Sequence, residues 1–233
     1  MKILLFLFAA STILFSCSKN EVKTDFKSAS DYYPLVLGAW HVYDVDSISY
    51  DNFTDPVTID SITYQVKEEL TDTFYDLEGE LSYEITRSKR SGNDSVNVES
   101  INWVVSDIWW VKNNGGNIER IEENIRYITL LNPIKDGSVW DGNGFNFIES
   151  WDFTYEGIEN PFSDYSNTVT VNQKYFNDKL YYRQNFKEVF AHGIGLVSRT
   201  RIDTESQNTQ DVINKPEKGF QFFQTLYNYY IPE

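Results

Sequence analysis

The chain has 233 residues and a formal charge of −15, from 35 acidic against 20 basic side chains. A chain so acidic repels phosphate backbones and anionic headgroups, which excludes nucleic acid as a partner. Its single cysteine excludes a disulfide framework.

The chain opens with MKILLFLFAASTILFSC, in which Lys2 is a charged start and Ile3 to Phe15 an apolar run. That run is too short to span a bilayer and reads as a secretion signal. Leu14, Phe15 and Ser16 precede Cys17 in an arrangement that resembles the lipobox of bacterial lipoproteins, whose cysteine is acylated and becomes the mature N-terminus. The resemblance implies a signal peptide over 1–16 and lipidation at Cys17. Each acyl methylene buried in the membrane then contributes about 0.8 kcal/mol to anchoring. Residues 17–30, with SKNEVKTDFKSAS after the cysteine, are polar and suit a flexible tether. The location implied is the outer membrane by a lipid anchor. Only Glu21, beside Lys19, resembles the acidic surface-export signal of Bacteroidetes, so the periplasmic face and the cell surface both stay open.

From Asp31 to Glu233 the dominant pattern is alternation with period two. In SITYQVKE, Ile62, Tyr64 and Val66 share one face, and in LSYEITRS, Leu81, Tyr83 and Ile85 do the same. FNFIESWDFTY places Phe145, Phe147, Trp151, Phe153 and Tyr155 together, and with them Glu149. Such segments are antiparallel strands, apolar inward and polar outward. Further strands are expected at Trp40 to Tyr50, Ile101 to Val111, Thr168 to Tyr175, Leu180 to Phe190, Leu196 to Thr204 and Phe220 to Ile231. The segment NIERIEENIRYITLL fits a helix by its isoleucine spacing, but its β-branched content and surroundings favour strand. SGND, NNGG and DGNG mark turns. The expected fold is all-β: one domain over 31–233 with a single curved antiparallel sheet, half-barrel or open-barrel-like.

YYPLVLGAW, NPIKDGSVWDGN, EVFAHGIGLVSRT and GFQFFQTLYNYY together resemble the landmarks of an uncharacterised Bacteroidetes lipoprotein family. That family is marked by a proline, glycine, tryptophan opening and a late A-x-G-x-G-L-V strand. The likeness runs from Tyr32 to Tyr230 and implies envelope location and a β architecture, with no catalytic residues. One departure stands out: a single residue, Ala39, separates Gly38 from Trp40, where the family spacing has two. In both this segment and the one at Pro133, Gly137 and Trp140, the expectation is a sheet corner whose tryptophan plugs the core.

Candidate chemistry is sparse. His41 and His192 have no metal-ligand spacing, and no metal or other cofactor is expected. Asp44 and Asp46 fall on one strand face with Trp40 and Val42, a pair that could hold a cation or simply mark where the strand leaves the core. DGNG at Asp141 departs from a calcium loop because Phe145 stands at a ligand position, so a tight turn is expected. Glu149 on an aromatic face costs several kcal/mol unless it is protonated, paired with a group such as Arg183 across the sheet, or turned outward by a bulge. If it does point inward, it joins Trp103, Phe147, Trp151 and Phe153 as a candidate ligand-facing set. The triplets at Ser47, Ser61 and Ser95, each Asp-Ser-aliphatic, resemble the O-glycosylation acceptor of Bacteroidetes.

Three functions follow as expectations. The leading one is a non-catalytic binding or accessory protein of the envelope, held on the membrane by its lipid and facing a protein partner. The second is a carrier that sequesters a hydrophobic molecule in the concave face of the sheet. The distant third is an enzyme acting on envelope glycans or lipids.

Overall fold

A computed structural model describes residues 27–92 and 101–233. The signal peptide, Cys17 and Ser95 lie outside these residues. Twelve strands follow one another: β1 (Trp40–Asp51), β2 (Thr58–Tyr75), β3 (Leu81–Ser91), β4 (Val104–Asn114), β5 (Asn117–Glu122) and β6 (Ile125–Leu130) in the first half. The second half contributes β7 (Val139–Asp141), β8 (Asp152–Phe162), β9 (Tyr165–Asn177), β10 (Tyr182–Ala191), β11 (Gly195–Glu205) and β12 (Lys218–Tyr230). All belong to one antiparallel sheet in the order β6-β5-β4-β3-β2-β1-β12-β11-β10-β9-β8-β7. Sequence neighbours are therefore spatial neighbours, the first and last strands pair in the middle, and the sheet curls until β6 nears β7. The expected open-barrel fold is what the chain adopts. The segment that fits either helix or strand forms β5 and β6, folded back at Glu123 and Asn124, which both have positive φ.

The seam between β6 and β7 carries no ladder and is clasped by single groups instead. Ile128 N donates to Gly142 O at 3.0 Å, and Trp140 Nε1 donates to Ile128 O at 2.7 Å. Asn146 bridges Arg126 with both ends of its amide, and Tyr155 OH donates to Leu131 O at 2.5 Å. These bonds satisfy backbone groups that an open edge would expose to other chains.

One end of the barrel is closed by the N-terminal segment, and packing begins at Lys27, a few residues before the expected boundary. Lys27 bridges Ile134, Ala29 N donates to Asn132 Oδ1, and Tyr32 OH donates to Asn167 Oδ1. Ala29 and Tyr32 are fully buried, so residues 27–30 are a plug and not a tether. Leu70, Ile85, Val111, Ile118, Leu130, Val169 and Phe190 form the apolar core that this plug covers.

The two proline, glycine, tryptophan segments do begin strands, and Gly38 and Gly137 both sit at positive φ, +85° and +74°. Trp140 is buried and packs on Tyr155 with centroids 4.5 Å apart, as expected of a plug. Trp40 corrects the expectation: it lies half-buried among Val42, Lys67, Trp103, Tyr227 and Asn228 on the outside, while its neighbours His41 and Tyr43 point inward. The departure in spacing is the physical reason. One residue fewer between glycine and tryptophan sends the ring to the other face of a pleated strand.

The strand expected from Phe145 is also corrected, since β8 starts only at Asp152. Residues 142–150 instead form a compact turn gathered by Asp141, whose Oδ1 accepts from Asn143 N and Trp151 N at 2.9 and 2.8 Å. Glu149 and Phe147 are consequently solvent-exposed, and neither lies on an aromatic inner face. On the outer surface Asp44, Asp46, Asp72 and Glu156 are exposed.

Candidate functional site inside the barrel

Beyond the apolar end, five strands turn charged side chains into the barrel at positions in phase with its apolar residues. β2 contributes Glu68 after Val66, β3 contributes Arg87 after Ile85, and β5 contributes Arg120 and Glu122 after Ile118. β10 contributes Glu188 between Phe186 and Phe190, and β11 contributes Arg199 and Arg201 after Val197. Glu68, Arg87, Arg120, Glu188 and Arg199 are all buried.

The charges are paired in a chain across the interior. Arg87 Nε donates to Glu68 Oε1 at 3.0 Å and its Nη1 reaches Asp107 Oδ2 at 3.4 Å. Arg199 holds Glu188 through Nε at 2.7 Å and Glu122 through Nη2 at 2.9 Å, and Arg120 pairs with the same Glu122. Trp109 lies between two guanidinium groups, with Arg87 3.7 Å and Arg120 5.2 Å from its ring centroid. Burial raises the Glu68 and Glu122 carboxyls, but the surrounding arginines, Arg120 foremost, outweigh it and hold both below the usual carboxylate range. Such pairs gain little net stability over apolar side chains, yet they tolerate no loss of a partner.

A second charged cluster sits on the outside beneath the β2–β3 turn. Lys112 Nζ, buried, contacts Asp76 Oδ2 and Glu78 Oε2, each at 2.6 Å, and Arg126 forks onto Glu78 at 2.9 Å. Hydrogen bonding to Lys112 lowers Asp76 to about 2, and bonding to Arg126 lowers Glu78 to about 2. A depressed carboxyl stabilises the fold fully above its unfolded value, near 4, and loses that contribution as pH falls toward its folded value. Stability is therefore expected to hold from neutrality to about pH 4.5 and to fall steadily toward pH 2. Thermal melts across that range check this; a melting temperature that is flat or rises on acidification contradicts it.

The interior holds little empty space. One narrow hollow, about 20 Å³, lies among Tyr33, His41, Tyr43, Glu68 and Leu70. Another, about 10 Å³, lies among Glu122, Tyr127, Thr129, Trp151, Gln173 and Arg201. Each has room for about one water, whereas small-molecule pockets measure roughly 300 Å³ or more. A hollow of about 840 Å³ between β2, β3 and the start of β4 is open to solvent.

The sequence-derived ligand set does not assemble here. Phe153 is buried in the core and Trp151 is half-buried inside, edge-on to it with centroids 5.3 Å apart. Trp103 is on the outer face under Arg90, and Phe147 and Glu149 point to solvent. His192 stands in the turn between β10 and β11. Burial lowers the pKa of His41, which donates through Nε2 to Ile194 O at 2.7 Å. Asp44 accepts from Gln65 Nε2 on the outer face, and no cluster of three metal-ligating side chains occurs among the described residues. No helix among them is long and apolar enough to cross a membrane.

Fold and interior together define an antiparallel open barrel with an ion-paired interior, plugged at the end where its N-terminal segment arrives. No family model matches the chain, and no curated protein does. Among solved structures it is similar to a Bacteroides fragilis chain described as exported, with a YmcC-like fold. The TM-score is 0.40 and the identity 11%, over 86% of this chain and 99% of that one. A likeness at that level carries no argument about family or function.

Proposed function

We propose that the protein is a non-catalytic binding or accessory protein of the cell envelope, anchored to the outer membrane through acylated Cys17. The observation that carries this reading is the filled interior. Charged side chains cross the middle of the barrel, and the hollows beside them among the described residues are water-sized, which weighs against storage of an apolar cargo in the concave face. Binding then falls to the outer surface and to the end of the barrel opposite the plug. Lys27 joins the barrel at the plugged end, so a tether from Cys17 would put that end toward the membrane and the opposite end toward partners.

Metabolic labelling with palmitate tests the anchor. The native chain is expected to take up label and Cys17→Ser to take up none; an unlabelled mature chain in the membrane would overturn the reading. Protease treatment of whole cells assigns the face. Intact mass on the same material tests the acceptor serines. Ser47 is half-buried in β1 and Ser61 is exposed in β2. A mass equal to the acylated polypeptide alone removes glycosylation at all three serines.

A further inference from the structure

We infer that the groove on the outer wall beside Trp40 is a binding site for a monoanionic carboxylate carried on a ring, with the Arg90 guanidinium as its receptor. The inference rests on the binding reading above and gives the outer surface a ligand class. The groove is open to solvent and measures about 330 Å³, within the range of small-molecule sites. Strand pairing builds it. Val42 stands opposite both Lys67 of β2 and Asn228 of β12, and Gln65, two residues before Lys67, stands opposite Arg90 of β3. These side chains therefore rise from one face. Tyr227 is the extra residue where the β1–β12 register shifts, and a bulge of this kind re-aims its side chain, here to a wall of the groove where it is 60% exposed.

The chemistry of the wall selects the ligand. The chain holds 35 acidic side chains against 20 basic ones, yet the groove's charged members are Lys67 and Arg90, and no carboxylate among the described residues lines it. Lys67 already holds Glu69 at 2.6 Å, which leaves Arg90 as the one full charge and matches a monoanion better than a dianion. Arg90 is also held in place. Its Nε donates to Oε1 of the buried Gln65 at 2.8 Å, and Gln65 is set in turn by donating through Nε2 to Asp44 Oδ1 at 2.7 Å. The guanidinium lies over the Trp103 ring, 4.4 Å from its centroid, and makes no ion pair among the described residues. With Nε occupied, its two Nη groups remain as parallel donors, the fork that a carboxylate meets with both oxygens. Val42 and the Tyr227 ring, which enters no ring or cation stack among the described residues, offer apolar surface to the ligand's own ring.

The test uses the full chain in an uncharged polyoxyethylene detergent, with the indole N–H resonance of Trp103, assigned by Trp103→Phe, as the readout. Glucuronate and cyclohexanecarboxylate are titrated, with glucose as the uncharged comparison and inorganic phosphate as the more highly charged one. At least one carboxylate is expected to move the Trp103 signal saturably, and glucose and phosphate to bind at least about tenfold more weakly. A response to glucuronate alone assigns the carboxylate to an acidic saccharide, a response to cyclohexanecarboxylate alone to an apolar acid, and either supports the site. Arg90→Lys keeps the charge, loses the fork, and is expected to weaken binding about tenfold, the scale of one charge-assisted hydrogen bond. Lys187→Gln in β10, away from the groove, should leave it unchanged. Silence of both carboxylates, glucose or phosphate binding as tightly as either, or Arg90→Lys binding as the parent does overturns the inference. The wild-type titration decides the matter even where a variant fails to fold. Failure here with palmitate labelling intact would remove the ligand class and leave the anchored binding protein.

Discussion

Glu122→Gln is expected to destabilise the fold by about 3–5 kcal/mol at neutral pH, the scale of breaking a buried ion pair by removing one partner. Glu122 is the carboxylate shared by Arg120 and Arg199, and its amide replacement leaves two buried guanidinium groups facing each other with one neutral acceptor between them. The repulsion already present is visible at Arg201, which burial and the nearby Arg199 pull below the ordinary guanidinium value. Urea unfolding of the variant against the parent measures the difference. Asp44→Asn is the companion. Asp44 is an exposed carboxylate bonded to Gln65, and its change should stay within about 0.5 kcal/mol. Equal small losses at both positions would mean that the interior network is not a dry, tightly paired cluster.

Trp140→Ala is expected to cost a similar amount, about 3–5 kcal/mol, for a different reason. The indole fills the space between Phe153 and Tyr155 and also ties the seam by donating to Ile128 O. Trp140→Phe separates the two roles. It keeps most of the packing and abandons the bond, so about 1–3 kcal/mol should be lost. Hydrogen exchange adds a local readout, because Ile128 N is bonded only across the seam to Gly142 O. In Trp140→Phe that amide should exchange faster while amides in β1 and β12 remain protected. Uniform loss of protection would indicate that the seam has no separate role in closing the barrel.

Much of this architecture is legible in the sequence, because strand alternation and turn residues are local signals. The faces of β2 and β3 follow from SITYQVKE and LSYEITRS, and Gly38 and Gly137 announce the bends that precede β1 and β7. The outward side of Trp40 is hidden in the sequence because a single residue of spacing reverses a face, and the segment at Trp140 has the same proline, glycine, tryptophan order with one residue more. The stretch from Phe145 failed in a related way. Its alternation is real, but Asp141 gathers the backbone of Asn143 and Trp151 into a turn, so the strand starts after Trp151. Alternation of side chains does not reveal where pairing begins.

The charged interior carried a signal that averaging by face obscures. Glu68 follows Val66 by two residues, Arg87 follows Ile85, Arg120 follows Ile118 and Arg199 follows Val197, so each charge is in phase with an apolar face. Any one of them reads as a strand end. Four of them, with Glu122 and Glu188, balance in sign closely enough to signal mutual pairing. Which arginine meets which carboxylate could not be read, because that depends on β1 pairing with β12 and so bringing β11 round toward β2, a contact between opposite ends of the chain. The groups of Trp151, Gln173 and Arg201 are likewise brought together from the turn before β8, from β9 and from β11, and leave no mark in any one segment.

Native mass spectrometry of the protein released from its own membrane tests most directly the claim that the barrel is filled by its own side chains and holds no apolar cargo. The account predicts the mass of the acylated chain, alone or with a protein partner, and no further lipid. A stoichiometric lipid or other apolar molecule that survives transfer into the gas phase would contradict it.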